Sequence, residues 1–154
     1  MRFGLSQKLN NFRKRPLSSA LLWGRAFFGL GLAKFAIFWI PFRRLANWLG
    51  MQGVETSDEV GEEHQALARR VSWAVRSASR YTPWNSNCFP QAITAQRLLS
   101  SYGIPSTLYL GVAFASVDGG KDLKAHAWLR CGSLIVTGAN GHKTFGVVGV
   151  FSTQ

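Results

Sequence analysis

Acidic side chains are scarce in this chain of 154 residues: seven Asp and Glu stand against 18 Lys and Arg, and none of the seven lies in the first 54 positions. Those 54 residues hold nine Lys and Arg, a net of +9, whereas residues 55–154 hold nine against seven, a net of +2. An arm so poor in acid attracts polyanions, with nucleic acid and anionic lipid as the two candidates. Cysteine is nearly absent, at two residues, and histidine occurs three times. No Cys/His spacing suits a zinc finger and no RNP-like aromatic motif is present, so neither a metal nor a nucleic-acid partner is expected. There is no internal repeat and no low-complexity block, which excludes solenoids and leaves one compact domain as the expectation. The first eight residues lack a clean apolar segment followed by a small-residue cleavage site, so a cytoplasmic location with two free thiols is expected.

An uninterrupted apolar run is also missing. Residues 21–40 are apolar or small except for Arg25 and Lys34, and Pro41 stops the run. Its length suits a bilayer-spanning helix, which needs about 20 apolar residues. The two charges lie on opposite sides of such a helix, and a central Lys or Arg costs about 2.5–3.5 kcal/mol on insertion. Two readings remain open beside a span. One is a buried helix, opening at Pro16-Leu-Ser-Ser-Ala, whose basic side chains snorkel out; the other is a helical hairpin that docks on a partner or lies on a membrane. A second short helix, 42–50, ends at Gly50, and 51–57 reads as a linker. The expected organisation is a basic, aromatic-rich arm over 1–54 and a second unit over 55–154.

What is abundant is apolar surface, 47% of the chain, with six Trp and eleven Phe. Ser57-Asp-Glu-Val reads as a helix start, capped by Ser57 or Asp58, with Glu59, Glu62 and Glu63 at the positive end and Arg69, Arg70, Arg76 and Arg80 toward the negative end. His64 shares a stripe with Val60, Leu67, Val71, Ala74 and Ala78, the place of a hydrogen-bonded core histidine. After the turn residues Asn85, Ser86 and Asn87, a helix is expected from Cys88 to Tyr102, with Pro90 in its first turn and Gly103 ending it. Cys88, Ala92, Ala95, Leu99 and Tyr102 form one stripe, which turns the thiol inward at the end of the helix where free N–H groups favour a thiolate. Strands are expected over 107–114, 125–131, 134–137 and 145–151, with 117–122 as a turn and Gly132-Ser133 as the tightest hairpin. The result is an α+β fold: a helix carrying Cys88 packed on a mainly antiparallel sheet carrying His126, behind an N-terminal helical arm.

A thiol at a helix start and an imidazole on a later strand are the two parts that cysteine acyl chemistry needs first. The third part holds the imidazole. No acid follows His126; Asn140, a backbone carbonyl or Asp122 could serve. Asn85 or Asn87, with the Cys88 N–H, could bind an oxyanion. Cys131, five residues past His126, belongs on the opposite face of the strand and reads as a structural thiol, and His142 reads as a loop residue.

Cys88-Phe-Pro-Gln-Ala, Arg97-Leu-Leu, Gly103-Ile-Pro, Leu110-Gly-Val and Ala125-His-Ala-Trp-Leu together resemble the transglutaminase-like cysteine peptidase domain of the lasso-peptide B proteins, over about residues 58–152. Arg15-Pro-Leu-Ser-Ser-Ala-Leu-Leu and Pro41-Phe-Arg-Arg-Leu-Ala resemble the arm of members without a fused leader-recognition domain. The resemblance implies a transglutaminase- or papain-like core and a leader peptidase of lasso-peptide maturation, with Cys88 as nucleophile and His126 as general base and acid, needing no cofactor. It implies three partners: a precursor leader peptide, a small leader-recognition protein and an ATP-dependent lasso cyclase. The family has an Asp after the histidine, and this chain departs from that pattern. Acyl transfer to an amine, or an inactive membrane-associated scaffold, are the rival expectations.

Overall fold

The computed structural model describes residues 19–154. The expected helix opening at Pro16 falls partly outside the described residues. Among the described residues, four helices, α1 (Ser19–Trp39), α2 (Phe42–Trp48), α3 (Glu62–Ser79) and α4 (Cys88–Ser101), lie on a five-stranded sheet. The strands are β1 (Met51–Gln52), β2 (Ser106–Val117), β3 (Gly120–Cys131), β4 (Leu134–Thr137) and β5 (Gly146–Thr153), in the order β1-β5-β2-β3-β4. Every neighbouring pair is antiparallel.

One core joins the helices to the sheet. Leu22, Ala26, Leu30 and Ala33 of α1 and Leu45 of α2 are buried together with Val71 and Val75 of α3, Ala92, Ala95 and Leu99 of α4, and Leu108, Ala127, Leu129, Val136 and Phe151 of the strands. The α1 side of this contact is tight: a Cβ on Gly29 would stand 2.7 Å from Thr94 Cγ2, so the α1 and α4 backbones approach where α1 has no side chain. By length and composition alone, α1 is apolar enough to cross a membrane, yet its inner face belongs to this core.

Four local expectations need correction. The third helix starts at Glu62, not near Ser57, because the stretch before it is held elsewhere. Asp58 ion-pairs with Arg130, and Arg130 Nη2 donates to Thr56 O at 2.8 Å while Thr56 N–H donates to Thr107 Oγ1 at 2.9 Å, so 56–58 is pinned to the sheet. His64, on the first turn of α3, is exposed; the buried stripe begins one turn later at Ala68. The turn expected over 117–122 narrows to Asp118-Gly119, both at positive φ, the two-residue geometry that lets β2 and β3 pair out to Val117 and Gly120. Gly50, expected to end the second helix, follows it at φ +106, and Met51–Gln52 beyond it pairs with β5 instead of remaining a linker.

Candidate functional site

Cys88 is the first residue of α4, after Asn87 in extended conformation. Asn87 gives no side-chain cap, and Gln91 N–H is the first amide bonded back, to Asn87 O at 3.3 Å. The N–H groups of Cys88 and Phe89 therefore have no intrahelical acceptor, and Pro90 has none to offer; the half-buried thiol stands beside free donors. Gln91 Nε2 donates to Ser86 O at 2.8 Å and Thr82 shares a 2.9 Å hydrogen bond with Ser86, which fixes the loop leading into the helix.

His126 lies midway along β3. Its Nε2 is 2.8 Å from Gly138 O. A carbonyl only accepts, so Nε2 carries the proton and the lone pair of the neutral ring sits on Nδ1. Aromatic rings confine the imidazole: Phe145 at 5.0 Å and Trp128 at 5.9 Å between centroids, the latter nearly parallel at 26°. Trp128 in turn stacks on Tyr109 at 5.4 Å, and Arg130 Nε donates to Tyr109 Oη at 3.0 Å. Gly111, the cross-strand partner of His126, makes room for this cluster, since a Cβ there would stand 2.8 Å from both Phe145 Cβ and the Trp128 ring.

Gly138 is the position the strand pattern hides. It has φ +74, and a Cβ would lie 2.3 Å from Ala127 O and 2.9 Å from Trp128 Cβ. No side chain fits in that conformation, so the group that orients the imidazole is main chain.

The structure does not bring the thiol and the ring together. Helix α4 packs on β2 and β3 and is joined to β2 by residues 102–105 alone, so it runs back along that strand. Cys88 opens that helix on the covered side of the sheet, whereas His126 lies on β3 opposite Gly111. No hydrogen bond joins them. Cys88 packs at the margin of the helix-side core, while the His126 ring shares the face of Trp128.

The remaining expected residues are placed as follows. Asn140 is exposed in the turn after β4 and makes no hydrogen bond with His126. Asp122 is exposed on β3 opposite Ala115, four residues and about 13 Å along the strand from His126. Asn85 and Asn87 are exposed in the loop before α4. Cys131 is fully buried among core residues, and burial raises its thiol pKa against the opposing pull of Arg130. His142 lies in a short 3-10 turn, its Nδ1 2.7 Å from Ala139 O and its ring 5.8 Å from Trp128. Gly138, Phe145 and Gly111 were not among the expected site residues. Alternation along Ala-His-Ala-Trp is the one sequence signal that sets His126 and Trp128 on a common face.

A helix opening with Cys and packed on an antiparallel sheet bearing His defines an α+β, transglutaminase-type core. Residues 36–150 match the transglutaminase-like superfamily, and the chain belongs to that superfamily. No curated protein and no solved structure matches it.

Proposed function

We propose that the chain is a cysteine peptidase that removes the leader peptide from a ribosomally made lasso-peptide precursor. The observation that carries the catalytic part is the Nε2–H···O=C bond from His126 to Gly138, which holds the ring in the tautomer with Nδ1 as base, in a chain whose other reactive group is a thiol at a helix start. In this mechanism Nδ1 takes the Cys88 proton as the sulfur attacks the carbonyl joining leader to core. The imidazolium then protonates the departing amine, and water hydrolyses the thioester. The unpaired N–H of Cys88 faces the developing oxyanion, with Asn85 or Asn87 as a side-chain donor. Asn140 or Asp122 would become the third member only if the loop after β4 or the β2–β3 hairpin rearranges, and the Gly138 carbonyl already occupies Nε2.

The His126 ring lies on the face of β3 away from the helix that carries Cys88, so in this reading the pair forms only when substrate or a partner rearranges the strand around His126. The lasso assignment rests on the resemblance of the Cys88, Arg97, Gly103 and His126 segments, and it supplies the partners: a small leader-recognition protein and, downstream, an ATP-dependent cyclase. The test is incubation of the chain with a precursor peptide and leader-recognition protein encoded beside it, read by mass spectrometry. Release of intact leader by the native chain and not by Cys88→Ser supports the reading; equal release by both defeats it. A second reading, an inactive scaffold, draws on the missing acid and on the absence of a Cys88–His126 hydrogen bond; it predicts no cleavage by either form under any partner combination.

A further inference from the structure

Helix α1 has two faces of opposite character. Leu22, Ala26, Leu30 and Ala33 are buried in the core. Phe28, Leu32, Phe35 and Trp39, spaced four, three and four residues apart, form one line on the outside, joined at its end by Phe38, and these five side chains are between 61 and 77% exposed. Phe42 and Trp48 of α2 extend the patch, each 52% exposed. A helix that is apolar all round needs apolar surroundings on all sides, and protein covers only one side of this one.

We infer that this face docks on an anionic lipid bilayer. Residues 19–54 contain Arg25, Lys34, Arg43 and Arg44 and no acid. Lys34, Arg43 and Arg44 make no ion pair among the described residues, and Arg43 and Arg44 are exposed directly beside Phe42. Aromatic rings with adjacent unpaired basic groups match the boundary of acyl chains and anionic headgroups. The helix lies on the surface and does not span: Trp23 Nε1 donates to Ser77 Oγ at 3.2 Å, Arg25 Nη2 donates to Ser101 Oγ at 3.0 Å, and Gly29 is pressed on Thr94, all of which a transmembrane course would break. A second copy is the poorer occupant, because a two-fold contact would set one acid-free basic patch against another. Beside the patch, a groove of about 650 Å³ between α1, α2 and α4 is walled by Phe28, Leu32, Trp48 and Leu98, with Arg97 also in its lining. Its chemistry suits a lipid acyl chain with a phosphate over the guanidinium.

The test is sedimentation of the full chain with phosphatidylcholine vesicles, with and without phosphatidylglycerol, alongside Trp fluorescence and sizing without lipid. The expected result is binding to the anionic vesicles only, with a blue shift. Binding should weaken about 30-fold in Arg43→Gln/Arg44→Gln and be lost in Phe35→Glu/Trp39→Glu, two exposed positions whose change leaves the fold intact by circular dichroism. Equal binding to neutral vesicles, no binding to either, or self-association with no vesicle binding would each overturn the inference. Leader cleavage plays no part in this readout, so the outcome is independent of the proposed peptidase activity.

Discussion

Strand β3 shows two chemistries on alternate residues. Ala127, Leu129 and Cys131 point into the helix-covered core and are almost fully buried. His126, Trp128 and Arg130 point the other way into a ladder of rings and charges with Tyr109 and Phe145. The same backbone thus carries a layer that only fills space and a layer that orients functional groups. The two cysteines repeat the lesson: Cys131 is sealed, with burial raising its pKa, whereas Cys88 sits half-open at a helix start. Position relative to the core, rather than residue type, separates a structural thiol from a candidate nucleophile.

The comparison can be broken most severely at Cys88. If the chain is the proposed peptidase, Cys88→Ser should lower leader release by at least about 10³-fold while leaving the urea midpoint nearly unchanged, because the side chain is only part-buried. Leu129→Ala, on the space-filling layer, should do the opposite: about 2–5 kcal/mol of stability lost in urea unfolding, with catalysis by the folded fraction retained. Gly138→Ala should cost more than the about 1–3 kcal/mol of strain at positive φ, because its Cβ also clashes with Ala127 O, and should disturb the His126 tautomer, visible in imidazole nitrogen chemical shifts. A variant destabilised to that degree but with unchanged imidazole shifts would show that the carbonyl does not orient the ring.

The smallest effect is one of pH. Burial raises the pKa of both Cys131 and Tyr109, with Arg130 opposing in each case, so folding favours their neutral forms. The stability they contribute is fully present below the unfolded values and is lost as pH rises through the folded ones, so stability should decline above about pH 8.5. Cys131→Ala should flatten the first part of that decline in urea titrations; an unchanged alkaline slope would remove Cys131 as a cause.

Much of this architecture is legible in the chain. Asn-Cys-Phe-Pro followed by a small-residue stripe announces the start of α4, and alternation with Gly punctuation marks the strands. Long-range partners explain what is not. Ser57 and Asp58 have the chemistry of a helix cap, but Arg130, 72 residues away from Asp58, recruits that stretch to the sheet. His64 follows the helical period yet lies beyond the reach of the layer that would cover it. The group bound to His126 is a backbone oxygen, which every residue possesses, so no side-chain pattern could single out Gly138.

The measurement that bears most directly on the Cys88–His126 pair is the rate of iodoacetamide alkylation of Cys88 at neutral pH, resolved from Cys131 by peptide mass spectrometry, in the native chain and in His126→Ala. A working pair predicts that Cys88 reacts far faster than Cys131 and slows at least about tenfold when the imidazole is removed. Equal Cys88 rates in the two proteins, with and without the leader-recognition partner, would contradict it.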